Sequence, residues 1–357
     1  MPTSYQQKVQ RLLDLMNQRG LERIVIRRAP NLAWITGGRV HIPMVLDSAV
    51  ADVVITTDRV YAVTNKIEAE RLASEELPEE MSVEVTDWWN PRPTAKPQGD
   101  KTGSDLPLAN ETDLGPDIEE ARQQLTPEEV ARYQDTAKKT AAALEEALPL
   151  ATSVETEMGM ARNLAAAFWS RGLEPVVMLV AGDRRRRLHR HPLPTNEPLG
   201  DFFYASVCAR DKGLVASASR VVAFKPVPAL ERAAFETLLA VEAEFLNASK
   251  PGAVLGRVFT DAIAKYQGAN SPLTADEWTK HHQGGPSGYL ARDWLVKPET
   301  TATIRINQAF AWNPSGGGVK VEDTVVVMSD GAHILAESIN WPTRRISGRN
   351  RPDILVI

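Results

Sequence analysis

The order of periodicities over residues 126–357 most constrains what this chain can fold into. After the start signal Thr126-Pro127-Glu128-Glu129, apolar residues recur at helical spacing over 130–147. A second helical stretch opens at 152–157 and runs to Arg171, where Gly172 stops it. Short β-branched and aromatic runs follow at 176–181, 202–209 and 213–224. The plan then repeats, with helical spacing over 229–248 and 254–266 and strand runs at 303–312, 319–328 and 333–336. Two helices, a meander, two helices and a second meander predict an α+β domain with pseudo-symmetric halves.

The first part of the chain reads differently. Residues 6–19 place Val9, Leu12, Leu13 and Met16 on one helix face, with Gly20 as the stop. Strand runs at 23–27, 52–56, 60–63 and 83–85 flank a charged helical segment at 67–76, so this part is α/β. Proline, glycine and charge dominate residues 90–107, which read as a surface excursion unable to bury a core. Helical spacing returns at 117–125. The expected domains are 1–125 and 126–357.

Composition removes several function classes. A net charge of −5 and a pI near 5.8 argue against a nucleic-acid binder. The single cysteine, Cys208, excludes a disulfide framework or a cysteine metal centre, and its apolar neighbours read as those of a buried strand residue, with a nucleophile as the alternative. The apolar runs are strand-length and the N-terminus lacks a signal-peptide core, so no membrane segment is expected and the location is expected to be cytoplasmic. Arg184 to Arg187 form a basic run that reads as a solvated loop or as an anion-recruiting one.

The densest chemistry lies in His281-His282-Gln283-Gly284-Gly285-Pro286-Ser287-Gly288-Tyr289, followed by Arg292 and Asp293. Paired imidazoles beside a glycine-permitted backbone read as an active-site loop or as structural histidines that satisfy loop backbone groups. Gly316-Gly317-Gly318 reads as a hairpin turn.

Four stretches carry a family resemblance over nearly the whole chain. Asn31 to Gly37 is similar to N-x-x-W/Y-L-[ST]-G, and Gly213 to Arg220 resembles G-Y-x-S-D-x-T-R. His281 to Asp293 follows the frame H-x-x-G-H-G-x-G-x-x-x-H-E, and Gly318 to Asp323 follows G-V-R-x-E-D. The second domain thus resembles the pita-bread fold of methionine aminopeptidases, aminopeptidase P, prolidases and creatinase. The first resembles the N-terminal α/β domain of the last three.

The resemblance implies a pair of divalent metal ions held by two Asp, one His and two Glu, which generate a hydroxide nucleophile and polarise the scissile carbonyl. In this frame those positions carry Ser206, Ser217, Gly285, Asn313 and Glu322. A shifted alignment brings His282 to the histidine position but loses Gly288, Arg292 and Asp293. Four of the five ligands are absent in the favoured frame, so no metal pair and no cofactor are expected.

Other positions keep polar groups where the relatives handle substrate. The resemblance implies proton transfer by His191, His281 or His282, with Glu322 holding a cationic substrate group or orienting water. Glu322 is otherwise a buried carboxylate paired with Arg220. Arg292 would clamp an anionic end, and Asp293, Tyr289, Asn313, Ser206 and Ser217 would line the pocket. Two functions are compatible with this set. One is a hydrolase of a small peptide-, amide- or amidine-like substrate that works without the metal pair, for which creatinase is the family precedent. The other is a catalytically silent protein that binds a peptide or metabolite. Relatives with this N-terminal domain imply a homodimer.

Overall fold

A computed structural model describes residues 2–42, 44–99, 101–268 and 270–357. Internal packing divides the chain into two compact units, Met1–Glu129 and Val130–Ile357.

In the first unit, helix α1 (Ser4–Gln18) starts at a capping box in which the Thr3 hydroxyl accepts from the Gln6 N–H and the Gln6 side chain returns to the Thr3 N–H. Its buried face carries Leu12 and Met16. The mixed sheet has the order β4-β3-β2-β1-β5-β6, with β1 Arg23–Arg28, β2 Ser48–Thr56, β3 Val60–Asn65, β4 Ser82–Thr86, β5 Thr102–Ser104 and β6 Thr112–Asp113. Helix α2 (Ala29–Thr36) holds most of the Asn31 to Gly37 motif, and the helix expected at 117–125 is α3 (Gly115–Gln123), which starts two residues earlier and ends two residues earlier.

The surface excursion expected at 90–107 is corrected at its end. Thr102 and Ser104 are buried and pair in parallel with β1, while Asp105 accepts the N–H groups of Arg27 and Arg28 and the Asn31 amide. Composition hides this because Asp105, a charged residue, has its carboxylate satisfied inside by three fixed donors rather than by water. Asp100, within the same stretch, lies outside the described residues.

Helix α4 (Pro127–Ala147) starts at the end of the first unit and runs into the second, which continues with α5 (Glu157–Trp169), β7 (Glu174–Ala181), β8 (Phe202–Asp211) and β9 (Leu214–Ala223). Then come α6 (Ala229–Ala248), α7 (Leu255–Ile263), β10 (Gly284–Ser287) and β11 (Gln308–Trp312). The hairpin β12 (Ser315–Gly316) and β13 (Val319–Lys320) is followed by β14 (Asp323–Met328), β15 (Gly331–Ile334), β16 (Thr343–Ile346), β17 (Arg349–Pro352) and β18 (Leu355–Val356). One antiparallel path runs β10-β11-β14-β9-β8-β7, with β15 on β14 and β18 on β9. The order of helix pairs and meanders agrees with the sequence pattern.

Alternation along β8 divides two cores. Phe203, Ala205 and Val207 join Leu144, Leu164 and Phe168 of the first helix pair. Phe202 and Tyr204 join Leu238, Phe245 and Phe259 of the second pair. Ser206 and Cys208 share the parity of Phe202 and Tyr204, so hydroxyl and thiol replace apolar groups where that face leaves the core.

Two strand expectations were too long. The run at 303–312 forms a strand only from Gln308, because Asn307 takes a left-handed φ of 61° that interrupts extension. The run at 319–328 breaks after Lys320 and resumes at Asp323. The chain changes strand partners there, at Glu322. The glycine hairpin is as expected, since Gly317 and Gly318 both have positive φ between paired Gly316 and Val319.

Candidate functional site

The register of β8 on β9 builds the floor of the site. Ser206 lies opposite Ser219 and Cys208 opposite Ser217, so all four side chains reach one face. Asp323 of β14 pairs with Ala218, and the Ser219 N–H donates to the Glu322 carbonyl, which fixes Glu322 beside this floor.

The Glu322 carboxylate is fully enclosed by donors. Oε1 accepts from Arg292 at 2.6 Å, while Oε2 accepts from Lys320 at 2.9 Å and from the Ser206 and Ser219 hydroxyls at 3.2 Å each. Lys320 also donates to Ser206 at 2.8 Å, and the Ser219 and Ser206 hydroxyl oxygens lie 2.9 Å apart, so the one Ser219 proton is shared between Ser206 and Glu322. Burial by itself pushes the Glu322 pKa up. The Lys320 ammonium and the Arg292 guanidinium outweigh burial and hold it down at about 2. Arg292 reaches Ser217 as well, at 3.4 Å, and Ser217 lies 3.2 Å from the Cys208 sulfur. Burial pushes that thiol up, so it is not a ready thiolate.

Beside this cluster three imidazoles meet. His191 Nε2 is 3.0 Å from His281 Nε2, and the His281 and His282 rings stack at 4.3 Å. Burial first, then Lys320 and the neighbouring imidazoles, lowers His281 to about 2; burial, Arg292 and Lys320 lower His282 to about 4. His191 is exposed and is also lowered, by burial of its inner part and by Lys320. Glu322 opposes all three shifts without reversing them. The three rings are therefore neutral at neutral pH.

The remaining expected residues are placed as follows. Asn313 is buried at the end of β11, where its N–H donates to the Gln283 carbonyl and its Oδ1 has no partner among the described residues. Tyr289 is buried in the loop after β10, and the Asp293 N–H closes that loop onto the Pro286 carbonyl. At Gly285 a Cβ would lie 2.2 Å from the Trp294 carbonyl oxygen, so backbone occupies the space a side chain would need.

Two sequence expectations change. Arg220 does not partner Glu322: it is paired with Glu145 at 3.1 Å and Asp323 at 3.0 Å, and Arg351 links Asp323 to Glu242. The basic run is solvated only in part. Arg185 pairs with Glu157 and buried Arg186 with Glu231, while the exposed Arg187 also reaches Glu231 and the exposed Arg184 pairs with Glu197. Lys320 and Ser219 were missed as site residues. For Ser219 the signal was the strand period, two residues after Ser217 in β9; Lys320 had none, because the strand ends at it.

A small α/β unit followed by a curled antiparallel sheet with two helix pairs defines a creatinase-type N-terminal domain and a pita-bread domain. The model of metallopeptidase family M24 matches residues 131–329, and that of the creatinase/prolidase N-terminal domain matches residues 8–106. The chain belongs to metallopeptidase family M24.

Among solved structures, the prolidase from Pyrococcus horikoshii OT3 is similar with a TM-score of 0.78 at 17% identity, over 93% of this chain and 99% of that one. The X-Pro aminopeptidase from Thermotoga maritima MSB8 is similar with a TM-score of 0.76 at 14% identity, over 98% and 99%. At these identities the likeness is one of fold. A curated relative, the putative dipeptidase YkvY of Bacillus subtilis (strain 168), is 26% identical over 175 residues, 46% of this chain and 46% of that protein. The match thus spans just under half the length of that relative. No helix among the described residues is long and apolar enough to cross a membrane.

Proposed function

We propose that this chain is a prolidase-like M24 protein whose dinuclear metal site has been replaced by a protein-held charge cluster, and that it hydrolyses a C–N bond of a small peptide-, amide- or amidine-like substrate without a metal pair. The observation that carries this reading is Glu322 held between Lys320 and Arg292. The positions that the family frame assigns to metal ligands offer three neutral side chains, one glycine and this single carboxylate. Two divalent ions there would add four positive charges beside two resident cations. The donor set does not fit the pair, and no step is routed through it.

In this reading Glu322 is an anchor. Both of its oxygens are filled, so it holds Lys320 and Arg292 in place instead of taking up a proton. His281 and His282 are too weakly basic to carry a proton at neutral pH, whereas His191 keeps solvent contact and hydrogen-bonds His281. His191 is the proton acceptor from water, and the His281 and His282 rings orient it. The buried Arg292 Nε has no partner among the described residues and is the donor left for an anionic substrate end. Asn313, Ser206, Ser217, Tyr289 and Asp293 shape the pocket. Homodimeric assembly and a cytoplasmic location belong to the same reading and rest on the family resemblance and the sequence.

A second reading, a silent peptide- or metabolite-binding protein, is favoured by the same saturation of Glu322, since it removes a carboxylate base. A dipeptide and amidine hydrolysis screen of protein dialysed with manganese and with chelator separates them. The first reading expects no stoichiometric manganese and chelator-indifferent turnover that falls about 100-fold in His191→Ala. Saturable ligand binding without turnover supports the second. Two tightly bound manganese ions per chain overturn both.

A further inference from the structure

We infer that His191, His281 and His282 form a binding site for one imidazole-preferring divalent transition-metal ion, of the zinc, cobalt or nickel class, separate from the five positions of the family's metal pair.

The three residues come from two remote segments, the loop after the helical turn Arg185–Leu188 and the lead-in to β10, and each offers one nitrogen such that all lie within 4.8 Å of one another. The His191 and His281 Nε2 atoms, 3.0 Å apart, are close to the edge of about 3.3 Å that two ligands make around an ion with bonds of about 2.0–2.1 Å in a tetrahedral shell. A small opening of the pair admits an ion in place of the shared proton. Exposed His191 supplies the entry path, while His281 is nine-tenths buried.

The Nδ1 atoms of His281 and His282 are buried without a hydrogen-bond partner among the described residues, so no backbone group holds either ring at that nitrogen. His281 faces the cluster through Nε2, and its Nδ1 therefore lacks the outer acceptor that usually supports a metal-bound imidazole, which lowers the expected affinity. Here the orientation of the rings brings ring nitrogens towards one another instead of towards backbone.

The donor chemistry selects the ion. No carboxylate belongs to the triad, so manganese, magnesium and calcium gain little, whereas imidazole suits zinc, cobalt, nickel and copper. Lys320 and Arg292 stand nearby and Glu322 offsets one of their charges, which weakens binding relative to a site without resident cations. Three protein ligands leave the coordination sphere open to water or a substrate group. Occupancy also withdraws the imidazoles from proton transfer, so the ion inhibits the hydrolysis proposed above. That corollary rests on the preceding reading; the binding does not.

The test is titration of the tag-free full chain with Co(II), followed by ligand-field absorption, and competition by Zn(II). One equivalent per chain is expected, with affinity reduced at least about tenfold in His191→Ala and in His281→Ala and unchanged in His189→Ala, an exposed histidine outside the cluster. His191→Ala keeps the test valid if the buried variant misfolds. Binding that survives loss of His191, binding lost equally in His189→Ala, or no binding at all overturns the site. Turnover insensitive to Zn(II) while the cobalt bands persist overturns only the reading of the histidines as proton-transfer groups.

Discussion

Two charge clusters lie on either side of the Glu322-Asp323 peptide, and they are built to different standards. On the Asp323 side, Glu145, Arg220, Asp323, Arg351 and Glu242 alternate in sign through the interior, and the Arg220 donors reach Glu145, the Ser219 carbonyl, Asp323 and Ser338. On the Glu322 side, two cations share one anion, and Arg292 Nε, Asn313 Oδ1 and two imidazole nitrogens stay unpartnered among the described residues. A network selected for structure satisfies its members, because each unpaired buried group costs about 1–3 kcal/mol. The unsatisfied side is where a ligand is expected to complete the bonding.

The comparison breaks most directly at Arg220. Arg220→Met leaves Asp323 with one partner and Glu145 with none of its guanidinium bonds, and a loss of about 3–5 kcal/mol is expected in denaturant unfolding. A loss below about 1 kcal/mol would show that this cluster is not structural. Glu322→Gln is expected to cost less, about 2 kcal/mol, because Arg292 retains some solvent contact and can turn outward while Lys320 keeps Ser206. Equal costs for the two variants would erase the distinction.

Acid sharpens it further. The unfolded chain takes protons on His281 near its ordinary value of 6.5, while the folded chain resists until about pH 2, so stability is intact above pH 6.5 and falls as the pH drops. Between pH 7 and pH 5 that histidine contributes a loss of about 1–2 kcal/mol, which His281→Gln should remove from unfolding curves measured at the two values. At the small end stands the exposed Arg184–Glu197 pair. Arg184→Ala is expected to change stability by less than about 0.5 kcal/mol, measurable against Arg220→Met in the same denaturant series.

How much of this could be read in the sequence depended on whether the signal was local. Helix α6 was delimited by its own period, and the glycine hairpin by the one residue type that tolerates two successive positive φ values. The motifs at Asn31, Gly213, His281 and Gly318 announced the family before any packing was known. The buried return of Thr102 to Asp105 was hidden, because its donors come from Arg27, Arg28 and Asn31, more than seventy residues away. Lys320 was in view within Gly318 to Asp323, but only the break between β13 and β14 shows that it turns onto Glu322. Arg185 and Arg186 looked solvated because the carboxylates that claim them, Glu157 and Glu231, are distant in sequence.

Gly285 sets a limit on how the pocket can be redesigned. With the Trp294 carbonyl 2.2 Å from where a Cβ would stand, no side chain fits there without moving the backbone of both segments. Carboxylates placed at Ser206, Ser217 and Asn313 would meanwhile put new anions around Lys320 and Arg292, strengthening ion pairs that a metal would have to displace. On the reading proposed above, a metal pair therefore cannot be installed by any one substitution, and the glycine is the change that side-chain replacement alone does not make.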